Sequence, residues 1–123
     1  VPEDYIDEGE GNELVDGVED TETYEMEIEI FVETIEIEFT DINCVGFGGQ
    51  LDYNIAVQDS DGNTIGEGSG NIACGGEGSS WTQTFTTDDE LSLGDYQTSI
   101  TFTNGGTPVQ ANWNYRFAII YEF

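Results

Sequence analysis

The stretch Tyr24-Glu25-Met26-Glu27-Ile28-Glu29-Ile30-Phe31-Val32-Glu33-Thr34-Ile35-Glu36-Ile37-Glu38-Phe39 decides the fold by its period. Tyr24, Met26, Ile28, Ile30 and Val32 occupy every second position, with Glu25, Glu27, Glu29, Phe31 and Glu33 between them. Glutamate is a good helix former. Wound into a helix, however, these glutamates would surround every side and leave no apolar stripe. In an extended chain the same residues separate into an apolar face and a mostly wet one, which is the pattern of a half-buried strand. The frame then shifts by one residue, so that Ile35, Ile37 and Phe39 are apolar and Glu36 and Glu38 polar. A one-residue slip exchanges the two faces, so a tight turn or a β-bulge is required near Glu33 and Thr34.

Downstream the alternation recurs. Leu51, Tyr53, Ile55 and Val57 mark a strand, and Asp59-Ser60-Asp61-Gly62-Asn63 marks a hairpin turn in which Asp-Gly supplies the positive φ angles. Asn43 to Gln50 reads as a glycine-containing loop, and Thr64 to Cys74 as a glycine-rich strand or edge. Trp81, Gln83, Phe85 and Thr87 follow, then a turn at Asp88, Asp89 and Glu90, then Tyr96, Thr98, Ile100 and Phe102, then a turn from Asn104 to Pro108. In the last strand Ala111, Trp113, Tyr115, Phe117, Ile119, Tyr121 and Phe123 share a face, while Ala118 and Ile120 make the other face apolar as well. Such a strand belongs in the middle of a sheet, covered on both sides. Seven or eight strands with no helical segment predict an all-β fold. The expected architecture is a two-sheet antiparallel β-sandwich of immunoglobulin-like or jelly-roll type. The segment Leu91-Ser92-Leu93-Gly94-Asp95-Tyr96 resembles the corner before a late strand in immunoglobulin-like and other Greek-key sandwiches. That resemblance implies a Tyr96 hydroxyl bonded back to the preceding loop. The Cys…Trp…Cys order of true immunoglobulin domains is missing, because Trp81 follows both cysteines.

Upstream of Tyr24 the chain is acidic and polar, with scattered apolar residues, and would be extended or disordered on its own. The expected organisation is an acidic N-terminal arm at 1–23 and a sandwich at 24–123. The arm would lie on a neighbouring subunit, with Tyr24, Met26, Ile28, Ile30 and Val32 as the candidate interface, a segment able to add a strand to an open sheet. The chain opens on Val1 and its one methionine is Met26, as expected of a processed product or an excised domain. No apolar run of the length needed to cross a bilayer is present, so no membrane insertion of the mature chain is expected.

Charge narrows the partners. The chain carries 27 acidic residues against one base, Arg116, for a formal net charge of -26. Nucleic acid and anionic membrane are excluded as electrostatic partners, because neutralising phosphates takes Lys and Arg. Mutual repulsion destabilises the compact state and is relieved by concentrated monovalent salt or by bound Ca²⁺; no other cofactor is expected. The absence of Lys, with Thr, Ser, Asn, Gln and Gly over the surface, resembles the secreted and surface β-sandwich proteins of extreme halophiles.

Chemistry is sparse. No His exists, so hydrolases built on an imidazole base are excluded. Carboxylate pairs abound, as a glycosidase would need, but none sits in a recognisable motif, and no enzyme activity is expected. Cys44 and Cys74 are too few for a zinc site. Joined as a disulfide they would close a loop of about 30 residues, stabilise the fold by about 3 kcal/mol and imply an oxidising compartment. Asp59, Asp61 and Asn63 have the one-three-five spacing of a calcium loop, but Thr64 and Gly70 stand where an EF-hand needs Gly and Glu. The competing reading there is a hairpin turn with polar tips. Glu25, Glu27 and Glu29 would form carboxylate ladders with Glu36 and Glu38 if the two segments pair. Trp81 is expected to be more exposed than Trp113, which is in phase with a core face; together with tyrosines they are the candidates for a sugar platform. Arg116 is expected to pair with two carboxylates. The resulting expectation is an extracellular or cell-surface structural subunit that assembles with copies of itself into a filament, pilus-like fibre or coat. The alternative is a secreted adhesion or carbohydrate-binding module of a larger surface protein or enzyme.

Overall fold

A computed structural model describes residues 4–16, 19–46, 49–86, 91–104 and 107–122. The turn expected at 88–90, the glycines at 105–106 and Phe123 lie outside the described residues. Eight strands follow one another: β1 (Tyr5–Val15), β2 (Glu19–Ile28), β3 (Val32–Val45), β4 (Gln50–Gln58), β5 (Thr64–Ala73), β6 (Ser79–Thr86), β7 (Gly94–Asn104) and β8 (Val109–Tyr121). They form two four-stranded sheets, ordered β1-β8-β3-β6 and β2-β7-β4-β5, with every pairing antiparallel. The all-β, two-sheet sandwich is therefore present, and its strand order is that of a jelly roll. Only β4 and β5 are successive in sequence and neighbours in one sheet. Their hairpin turns at Asp59, whose carboxylate oxygen accepts the backbone N–H groups of Asp61 and Asn63 at 3.0 and 2.9 Å.

The core lies between the sheets and is filled by the alternating residues that point inward. From the first sheet come Ile35, Ile37, Phe39, Ile42, Trp113, Phe117 and Ile119, and from the second Met26, Ile28, Leu51, Ile55, Ile100 and Phe102. β8 is central, between β1 and β3, and Ala118 on its outer face is buried as well. The phase change after Ile28 uses both devices available to it. Residues 29–31 carry the chain from one sheet to the other, and the β3–β8 register slips between Val32 and Thr34. The tyrosine corner is formed. The Tyr96 hydroxyl accepts the Ser92 N–H and donates to the Ser92 carbonyl, both at 2.9 Å. The cysteines are joined, with Cα atoms 4.6 Å apart, linking β3 of the first sheet to the end of β5 in the second.

Three expectations are corrected. The described part of residues 1–23 is not an arm apart from the sandwich. Tyr5 to Val15 pair residue for residue with Ile119 to Val109 of β8, and the expected boundary at Thr23 and Tyr24 falls inside β2. The segment looks too poor in apolar side chains to dock. It docks because its inward positions include Gly9 and Gly11, over which the Tyr115 and Trp113 rings of β8 lie; a Cβ at either glycine would overlap those rings. Backbone pairing and borrowed aromatic area thus replace the strand's own side chains. Secondly, Met26, Ile28 and Val32 are buried, not an exposed interface. Tyr24 is half-buried among Phe39, Tyr115 and Phe117 and accepts a hydrogen bond from Trp113 Nε1 at 3.0 Å. Only Ile30, in the crossing, is exposed. This face meets the opposite sheet of its own chain. Thirdly, β3 continues through Cys44 to Val45, where a loop was expected. It is bent by a bulge at Asp41, which has φ of 50° and marks register slips toward both β6 and β8.

Candidate functional site

The outer face of the first sheet is organised in rows across β1, β8 and β3. The central row is Glu8–Arg116–Glu38, from direct register. Arg116 Nη1 lies 3.3 Å from Glu36 Oε2 and 3.7 Å from Glu38 Oε2, and Nε lies 3.9 Å from Glu8 Oε2. The two expected carboxylates are there, and a third comes from β1. Because β2 and β3 lie in different sheets, the expected ladder of Glu25, Glu27 and Glu29 against Glu36 and Glu38 does not form. The latter two share the guanidinium instead. These groups are partly solvated, and exposed pairs contribute little singly. Removing the shared cation, however, leaves three carboxylates facing one another. Arg116→Ala is expected to lower stability by about 1 kcal/mol near 0.1 M salt. Denaturant melts of both proteins should then converge as NaCl is raised.

Past the next row, Glu10–Asn114–Thr40, lies Asn12–Asn112–Asn43. Asn114 Nδ2 donates to Asp41 Oδ2 at 3.2 Å and Asn43 Nδ2 to the Asp41 carbonyl at 2.6 Å, so the bulge is held from both sides. Here a cleft of about 280 Å³ is lined by Glu10, Asn12, Asp41, Asn43, Asn112 and Asn114. A second cleft, of about 380 Å³, adjoins it around Arg116. The pair offers amide donors and carboxylate acceptors to a polar ligand. Trp113 and Tyr115 also line these clefts, but from the core side: Trp113 is buried beneath Gly11 and Tyr115 packs over Gly9, while Trp81 is half-buried over Gly68 on the far flank. Sequence reading passed over this amide row. Its signal was present in the spacing of Asn112, Asn114 and Arg116 opposite the core face of β8.

Asp59, Asp61 and Asn63 form the hairpin tip, with an Asp59 oxygen engaged by backbone N–H groups. Among the described residues no group of three or more His, Cys, Asp or Glu side chains is placed to hold a metal ion. At the flank where β1 and β2 run alongside each other, Glu13 donates a hydrogen bond to Glu22. This bond, followed by burial and then by the negative charges of Glu22 and Asp16, holds the Glu13 carboxyl above its usual range. A raised carboxyl pKa favours folding where the group is protonated, and that contribution is lost as pH rises through the folded-state value. Glu13→Gln is therefore expected to raise the melting temperature at pH 7 and to leave it unchanged near pH 4.

All seven large apolar side chains exposed among the described residues lie at or next to the two ends of the sandwich. Tyr5, Ile6, Ile30, Phe31 and Leu93 share one end, and Leu14 and Val45 the other. Phe31 is 73% exposed and Val45 64%. Leu14 and Val45 flank Gln110 in one row of the first sheet.

No family model matches the chain, and no curated protein matches it. Among solved structures it is similar to VP2 of infectious bursal disease virus in a subviral particle, at 14% identity and TM-score 0.59 over 97% of this chain and 33% of that one. It is also similar to the protein of Bacillus endospore appendages, a family of disulfide-linked pili, at 10% identity and TM-score 0.50 over 97% of this chain and 89% of that one. A third likeness is to the carbohydrate-binding module TmCBM61 in complex with β-1,4-galactotriose, at 15% identity and TM-score 0.50 over 90% and 69% of the two chains. The chain spans about a third of the length of VP2. What is shared at these identities is the fold.

Proposed function

We propose that the chain is an extracellular or cell-surface structural subunit that assembles with copies of itself into a filament, pilus-like fibre or coat. The observation that carries this reading is the placement of the large exposed apolar side chains, among the described residues, at both ends of a strongly acidic body. Exposed apolar clusters rimmed by polar residues mark contact surfaces. Two different patches at opposite ends make a head-to-tail contact, which grows an open chain where the rotation does not close. Two proteins with this fold, the VP2 of a subviral particle and the appendage pilus protein, are built into assemblies, which supports the reading. The disulfide supports an oxidising location. Both cysteines are joined to each other, so neither is left to link copies. The reading takes no enzyme activity, nucleic acid or membrane insertion to be involved, and takes concentrated salt to supply the screening.

The test is sedimentation velocity with negative-stain microscopy in about 2 M NaCl, where the Debye length falls below about 3 Å. Large particles are expected, and Phe31→Asp or Val45→Asp should reduce them to small species with the fold intact by circular dichroism. A single small species in the unmodified protein at every salt and protein concentration would overturn assembly. The second reading, a carbohydrate-binding or adhesion module, is favoured by the amide-lined cleft over Asp41 and by the likeness to TmCBM61. It predicts a monomer whose cleft binds oligosaccharide, with binding lost in Asn112→Ala.

A further inference from the structure

Four strands stand at sheet edges, and they differ sharply in charge. β1 carries Asp7, Glu8, Glu10 and Glu13; β2 carries Glu19, Asp20, Glu22, Glu25 and Glu27; β5 carries Glu67. β6, Ser79-Ser80-Trp81-Thr82-Gln83-Thr84-Phe85-Thr86, carries none. An edge strand is a template for pairing, and natural proteins guard such edges with charge, proline or bulges. β1 and β2 are guarded by carboxylates. β6 has no charged residue and no proline, pairs with β3 in unbroken register from Thr34 to Phe39, and alternates threonines with half-buried Trp81 and Gln83 and buried Phe85.

We propose that β6 is a lateral assembly edge, and that its occupant is β6 of a second copy, paired antiparallel about a two-fold axis at Gln83. The inference rests on the subunit reading above and names a contact that reading lacks. Charge selects the occupant. The chain's surface is acidic almost throughout, so a basic partner would be drawn to the β1–β2 flank rather than to β6. A second copy meeting this one through β1 or β2 opposes carboxylates to carboxylates, which destabilises a sheet. Meeting through β6 opposes none and leaves the two acidic flanks at the far ends of one continuous eight-stranded sheet. The register follows from side-chain phase, since residues opposite each other in an antiparallel pair share a face. With the axis at Gln83, Thr82 faces Thr84 of the second copy on the outer face, and Trp81 faces Phe85 on the inner one. Threonine pairs and aromatic pairs are both favourable across strands. Trp81, only partly buried over Gly68, gains cover.

The experiment uses the full chain in about 2 M NaCl, with mass by sedimentation and folding by circular dichroism on the same samples. In the proposed register Thr82→Glu with Thr84→Glu sets four carboxylates against one another across the axis. Thr82→Lys with Thr84→Glu sets each lysine against a glutamate. The expected result is that the first double variant loses the lateral contact, with at least tenfold weaker association, and the second retains or strengthens it, both being folded. Equal assembly of both double variants would overturn the β6 edge while leaving the subunit reading in place. A monomeric unmodified protein at every concentration would overturn both. Lateral contact kept by the two-glutamate variant and lost by the lysine–glutamate variant would overturn the register and the two-fold pairing with it.

Discussion

The melting temperature is expected to climb by tens of degrees between about 0.05 M and about 3 M NaCl, as the Debye length falls from above 10 Å to below 3 Å. Carboxylates two residues apart on one face of a strand stand about 7 Å from each other, and at that distance like charges in water repel by about 0.6 kcal/mol. Glu25 and Glu27 are such a pair on β2, and Glu27 lies directly opposite Asp95 of β7. Seventeen of the 27 acidic residues fall between Glu3 and Asp41, and nine of them stand on β1 and β2, which concentrates repulsion on that flank. The folded state holds these charges closer together than the unfolded chain does, and their summed repulsion is on the order of several kcal/mol, comparable to the whole stability of a domain. Salt removes that term without touching the core. Melts by circular dichroism in NaCl and in equal ionic strengths of CaCl₂ check it. Overlapping curves are expected if screening alone acts, and a melting temperature flat across the NaCl series would refute the argument.

Local alternation made most of this fold legible. The period from Tyr24 to Phe39, the Asp59 turn, the Tyr96 corner and the two apolar faces of β8 each report on a few residues and their immediate partners, and all are realised. What stayed hidden depends on partners distant in sequence. β1 is held by rings from residues about a hundred positions away lying over Gly9 and Gly11, so its own side chains do not announce it. The assignment of Tyr24 to Val32 to an interface failed for a related reason. Alternation says that one face of a strand is covered, and only the strand order says that the cover is the same chain. The bulge at Asp41 takes no glycine or proline; aspartate tolerates the left-handed region and two asparagine amides secure it. For the candidate surface, the absence of charge from β6 was readable as composition, but its position at an edge was not.

Replacing Cys44 and Cys74 together by serine is the other change expected to act strongly. The bond spans 30 residues, and closing a loop of that length restricts the unfolded chain by about 3 kcal/mol. In a domain of this size that corresponds to a fall in melting temperature on the order of 10 °C. The native geometry gives the bond a second role. Cys44 sits on β3 in the first sheet, and Cys74 follows β5 in the second. Around them the Gly75 N–H donates to the Cys44 carbonyl and the Cys74 N–H to the Gly49 carbonyl, each at 3.0 Å. The disulfide therefore ties the two sheets together at the end that exposes Leu14 and Val45. Cys44 is buried, so serine there also brings a hydroxyl into an apolar site at a cost of about 1–3 kcal/mol unless it finds a partner. Cys44→Ala with Cys74→Ser separates the two contributions, since it removes the cross-link while placing no hydroxyl at the buried position. In about 0.1 M salt, where repulsion is least screened, the combined loss is expected to leave the reduced-loop variant largely unfolded, and about 3 M NaCl to restore it. Urea melts at both salt concentrations measure this. Equal stability of the variant and the unmodified protein at low salt would show that the bond adds nothing to the hydrogen-bonded junction around it.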